Sequence, residues 1–188
     1  MDGMLSKGPT SGFTLTELII TMGIAAILLA IGIPSFKYVT VSNRISTEVN
    51  GLLGDMQFAR SEAVKEGLPV TVCASSNATS ANPTCSGLAE WQSGWIVFLD
   101  SNNNQTVDPG EQVVRTQGQF SSTDTFVPDN GALSWITFNR EGYASTNTAV
   151  IVTLQLHDST ATAAWTRCLA VTPVGMLTTQ KAGEGNCT

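Results

Sequence analysis

The 188 residues carry nine Lys or Arg against fifteen Asp or Glu, a net charge of −6 with the one histidine neutral. Such an acidic chain has no general attraction for DNA phosphate or anionic lipid. With one histidine and no phosphate-cradling glycine loop, zinc spacing or nucleotide fingerprint, nothing in it points to an enzyme. Setting aside an N-terminal leader and apolar segment leaves about 150 residues, enough for one core of ordinary size.

The chain begins with a leader, residues 1–12, whose Asp2 and Lys7 cancel in charge. It continues as GFTLTELIITMGIAAILLAIGIPSF, Gly12 to Phe36, in which Leu18 to Phe36 holds no ionisable residue. Nineteen helical residues at ~1.5 Å each reach roughly 28 Å, the thickness of a bilayer's hydrocarbon core. Glu17, at the edge of that run, is therefore costly unless paired, and an acid so placed marks a functional position. An ordinary cleaved secretory signal ending near Ala30-Ile31-Gly32 accounts for the segment less well. The helical pattern continues past Gly32, and Glu17 interrupts the start of the apolar run.

After Pro34 and Lys37 the pattern turns amphipathic. Val41, Ile45, Val49, Leu52, Leu53, Met56, Ala59 and Ala63 recur every three or four residues, with Asn43, Arg44, Glu48, Asp55 and Arg60 largely between them. One helix from Phe13 to about Glu66, roughly 80 Å long, is expected, bent at Pro34 where a backbone hydrogen bond is lost and ended by Gly67 and Pro69. Beyond it, β-branched and aromatic runs predict strands at Val70–Ala74, Gly94–Leu99, Gln112–Thr116, Trp135–Phe138, Val150–Leu156, Arg167–Thr172 and Met176–Thr179. Asn77–Gly87 and Ser121–Ala132 read as exposed loops. The fold class is α+β, a long helix along one or two antiparallel sheets. Its segments are 13–36 for the membrane, 37–66 for the amphipathic half-helix and 67–188 for the β-rich domain.

Cys73, Cys85, Cys168 and Cys187 all follow the apolar segment, and an even count in a small exported domain suggests two disulfides in an oxidising compartment. Three pairings are open, of which the local one, Cys73 with Cys85 and Cys168 with Cys187, is favoured. Asp100, Asn102, Asn104, Thr106, Asp108 and Glu111 fall at positions 1, 3, 5, 7, 9 and 12 of the calcium-loop spacing, although the sixth position is Gln105 where that loop uses glycine. The competing reading is an acidic hairpin whose Asn and Asp side chains cap its own turns. No cofactor is otherwise implied. His157 lies in a predicted strand without a catalytic neighbour, and the sequons at Asn77, Asn104 and Asn186 mark polar loops.

Gly12-Phe13-Thr14-Leu15-Thr16-Glu17 resembles the leader-peptidase signal of type IV pilins and type II secretion pseudopilins. The resemblance implies cleavage after Gly12 by a prepilin peptidase and methylation of Phe13. It makes Glu17 the fifth mature residue, the family's assembly glutamate, and Pro34 the family's helix proline. Glu17 would then neutralise the N-terminal amine of a neighbouring subunit in an apolar filament core, two charges that pair far better than either is tolerated alone. Its presence implies a place beneath another subunit.

Three later stretches resemble the GspH/FimT group of minor pilins and pseudopilins. They are LLGDMQFARSEAV (Leu52–Val64), SGWIVFLDSNNNQTVDPGEQVVR (Ser93–Arg115) and CLAVTPVGMLT (Cys168–Thr178). Arg60 and Glu62 in the first read as helix-surface groups. The resemblance implies a subunit of the complex that primes or caps a pilus, with other minor pilins, the major pilin and the inner-membrane assembly platform as partners. It implies a single pass through a bacterial inner membrane with the C-terminal domain in the periplasm, and later a place on the cell surface. The nearest alternatives are a minor pseudopilin of type II secretion and a DNA-capturing minor pilin. Nucleic acid is disfavoured, because the turn Pro173–Thr178, which carries arginines in DNA-binding relatives, has none here, and Arg140 and Arg167 lie elsewhere.

Overall fold

The computed structural model describes residues 12–120, 122–129, 131–148 and 152–187. The leader up to Ser11 and the first two residues of the strand expected at Val150 lie outside them. The chain divides into one unit up to Thr40 and another from Val41 onward.

Helix α1, Leu15–Glu66, is one continuous element that includes Pro34. Thr14 starts it: its hydroxyl accepts the Glu17 amide at 3.2 Å and its carbonyl accepts the Leu18 amide at 3.1 Å. The first satisfies one of the four amides that every helix N-terminus leaves open, and the second is the first bond of the helix itself. At the other end Gly67, at φ 69°, donates back to the Ala63 carbonyl, as a left-handed glycine cap does. In the first unit the apolar side chains from Leu18 to Phe36 are exposed all round the helix, a pattern that needs an apolar surrounding medium or partner.

In the second unit, α1 buries Ile45, Val49, Leu52, Met56, Ala59 and Ala63, one stripe at alternating steps of four and three. The stripe packs on two antiparallel sheets. The first sheet has the order β3-β2-β1-β5-β6, from β1 (Val70–Ala74), β2 (Trp95–Leu99), β3 (Val113–Gln117), β5 (Trp135–Phe138) and β6 (Ala144–Thr146). The second has the order β4-β7-β8-β9, from β4 (Thr125–Pro128), β7 (Val152–His157), β8 (Arg167–Val171) and β9 (Leu177–Lys181).

Strand alternation sorts the core into two layers. Val70, Val72, Ala74, Trp95, Val97, Ile136 and Phe138 face α1 together with Phe126, Leu154, Leu156, Leu169 and Val171 of the second sheet. The intervening Cys73, Ile96 and Phe98 face the other way, into a smaller cluster with Ala78. Strand β1 is therefore buried along its whole length, which explains its unbroken apolar look in sequence. The loop after β1 covers that outer cluster and is fixed there by a disulfide between Cys73 and Cys85. A second disulfide, Cys168 to Cys187, fixes the C-terminal segment beside β8.

Two short strands depart from the sequence reading. Ser121–Ala132, expected to be an exposed loop, contains β4, with Phe126 and Pro128 buried and Thr125 and Val127 exposed. Four residues ending in proline give little β signal, and proline is tolerated because β4 is an edge strand pairing only with β7. Three-residue β6 is likewise an edge, held to β5 by Ile136 opposite Thr146 through Phe138 opposite Ala144.

Candidate functional site

Phe13 and Glu17, expected to serve processing and assembly, lie beside and on the start of α1. Phe13 is 86% exposed. Glu17 occupies the first helical turn, three residues after the capping Thr14, where the helix dipole favours a carboxylate. Glu17 thus has a local structural role besides any that a neighbouring subunit gives it. Pro34 lies inside the helix in the all-apolar stretch.

In the globular unit, three polar ties hold α1 to the sheets. Asp55 accepts Trp95 Nε1 at 2.8 Å on one oxygen and Arg115 at 2.9 Å on the other. The Arg115 guanidinium also sits 3.9 Å over the Phe58 ring, a cation–π contact. Arg44 grips Asp124 through two bonds of 2.7 and 2.8 Å. Arg60, expected to be a helix-surface group, instead reaches the carbonyls of Gly142 at 3.0 Å and Val174 at 3.4 Å, bridging turns of the two different sheets. Glu62 does stay on the helix surface, paired with Lys65 at 2.9 Å. Beside Arg60 lies an open groove of about 780 Å³, lined in part by Val64, Val174 and Met176, all more than half exposed.

Gly175 makes that bridging possible. Its φ is +73°, and a Cβ there would lie 2.0 Å from the Gly142 carbonyl oxygen. The turn from β8 to β9, Pro173-Val174-Gly175-Met176, therefore presents backbone and apolar side chains. Of the cations on these elements, Arg140 lies in the β5–β6 turn and Arg167 at the end of β8 far from this turn. Arg140 pairs with Glu141 at 2.7 Å, and Arg167 donates to the carbonyls of Ala164 and Thr166.

The acidic loop closes on itself. Asp100, fully buried, accepts the Asn104 and Gln105 amides at 2.9 and 3.0 Å and the Thr71 hydroxyl at 2.7 Å. The Asn102 and Asn104 side-chain amides both donate to Asp108, holding its carboxyl below the usual range. Glu111 accepts from the Ser101 amide and hydroxyl and from the Asp108 amide. Gln105 adopts φ 61°, so the turn forms without glycine. As folded, the six calcium-spaced positions present no cage of free oxygens, and among the described residues no three His, Cys, Asp or Glu side chains converge as metal ligands. His157 Nδ1 lies 3.2 Å from the Thr166 hydroxyl in the second sheet.

None of the ties Arg44–Asp124, Asp55–Trp95–Arg115 or Arg60–Gly142 was foreseeable from sequence. Their partners lie 40 to 82 residues apart, and no local spacing couples them.

Two sequence families match. The prokaryotic N-terminal methylation motif covers residues 9–33, and the family described as Type II transport protein GspH covers residues 48–175. Among curated proteins no relative is significantly similar. Of solved structures, the type IV minor pilin FimU of Pseudomonas aeruginosa is similar in two crystal forms. One superposes with a TM-score of 0.53 at 18% identity, over 73% of this chain and 89% of FimU. The other has a TM-score of 0.51 at 17% identity, over 72% and 91%. With the sequence match spanning well over half its length and a helix-on-two-sheets fold shared with a minor pilin, the chain belongs to the GspH family.

Proposed function

We propose that this protein is a minor pilin, a structural subunit that supports pilus assembly. The observation that carries the reading is the joining of a methylation motif at residues 9–33 to a GspH domain through one unbroken helix, Leu15–Glu66. Prepilin peptidase cuts after Gly12 and Phe13 is methylated. The stretch from Leu18 to Phe36 anchors the subunit in the inner membrane with its domain in the periplasm, and later packs in the filament. Glu17 meets the N-terminal amine of an adjacent subunit, other minor pilins and the major pilin are its neighbours, and the inner-membrane platform assembles it. The part is structural rather than catalytic.

The test is the amount of sheared surface pilin from a strain lacking the protein, restored with the intact chain or with Glu17→Ala. Loss of pili without it, recovery with the intact chain and failure of the Glu17 variant are expected. Undiminished pili in its absence would overturn the reading. The family's description as a type II transport protein favours one second reading, a minor pseudopilin of secretion. Under that reading the same deletion leaves pili intact and abolishes exoprotein release.

A further inference from the structure

Where α1 passes the segment leading into β4, Arg44 and Glu48 lie one helical turn apart and face Ser122 and Asp124. Asp124 takes Arg44 Nε and one terminal nitrogen, and its side chain has no exposed surface. Glu48 is left with a long contact to the Ser122 hydroxyl at 3.4 Å on Oε1, while its Oε2 is buried without a hydrogen-bond partner. Asp158, buried at the end of β7, also acts on Arg44. His157, next to it, opposes Thr125 of β4 in register and turns Nδ1 to Thr166. Three carboxylates thus bear on one guanidinium whose bonds go to Asp124.

We propose that Glu48 is a proton-operated latch between α1 and the edge of the second sheet. With its proton, Glu48 donates to Asp124 and closes the cluster. Without it, two carboxylates face each other, neither able to donate, and the segment 122–128 loosens along with edge strand β4. The Glu48 carboxyl is pushed up to about 7, by burial first and then by the charge of Asp124, against which Arg44 pulls it down. Asp158 titrates outside this range. Burial raises it, but the Thr160 hydroxyl and the amides of Thr162 and Thr160 outweigh that and hold it below the usual value. The sign follows from proton counts. Between the ordinary value of 4.5 and about 7 the folded chain keeps a proton that the unfolded chain has lost. Stability from this group is therefore complete below 4.5 and lost as pH rises through about 7.

The test uses the full-length protein in detergent micelles, wild type and Glu48→Gln, which keeps a neutral donor of the same shape. Melting temperature and hydrogen exchange of the 122–127 amides are followed from about pH 5 to about pH 8. The wild type should lose ~2–4 °C across that range, with falling amide protection before β4, while Glu48→Gln stays flat. The same pH profile in Glu48→Gln as in wild type would overturn the latch. If the variant does not fold, the carboxyl carbon resonance of Glu48 in the wild type decides. A midpoint well above 4.5 supports the latch, and one at 4.5 refutes it.

Discussion

Replacing Arg44 by Met tests whether the tie between α1 and β4 is a buried ion pair of consequence. Asp124 is wholly enclosed, whereas Arg44 keeps 38% of its side chain exposed, and the two meet through bonds of 2.7 and 2.8 Å. At about 4 Å between charges and an effective dielectric near 20, the attraction is about 4 kcal/mol. It is opposed by the desolvation of Asp124. Removing one partner of a fully buried pair costs roughly 3–5 kcal/mol because the other charge is stranded. Solvent on the Arg44 side lowers this, so a loss of ~2–3 kcal/mol is expected. Thermal unfolding of the full-length protein in detergent, followed by the fluorescence of buried Trp91 and Trp95, should show Tm lower by roughly 5–10 °C. Arg44→Met/Asp124→Leu should recover most of the loss, because the enclosed Asp124 charge is removed together with its partner. A single variant within about 0.5 kcal/mol of wild type, or a double variant weaker than the single, would refute the reasoning.

Four further outcomes are expected. Gly175→Ala should cost roughly 2–3 kcal/mol in urea unfolding, since the new Cβ meets the Gly142 carbonyl at 2.0 Å and φ is +73°. Gly51→Ala, with nothing within 4 Å and a helical neighbourhood, should stabilise by ~0.5–1 kcal/mol. Cys168→Ser/Cys187→Ser should lose about 3 kcal/mol in the chain-entropy account of a loop of 19 residues, and dithiothreitol should then have less effect on Tm than in the wild type. Calcium at millimolar concentration should leave Tm unchanged, because the carboxylates of Asp100, Asp108 and Glu111 are already bonded within the loop; a calcium-dependent rise would restore the cation reading.

The long helix, the membrane-length apolar run and most strands are legible in the chain before it folds. Each of these is written in neighbouring residues. Ile45, Val49, Leu52 and Met56 repeat at the helical period, and the runs at Val70–Val72 and Trp135–Phe138 are β-branched or aromatic throughout. The motif from Gly12 to Glu17 is likewise local, a run of consecutive residues. Only the tertiary structure decided that Thr125–Pro128 is a strand, since four residues become one by pairing with β7 rather than by propensity. It alone decided that Arg60 leaves the helix surface for two turns more than 80 residues away, and that Asp124 rather than Glu48 wins Arg44. The reason is common to all three. Periodicity and propensity act between residues adjacent in the chain, whereas a buried polar group takes whichever partner the folded path brings within about 3 Å, and no local pattern records that path.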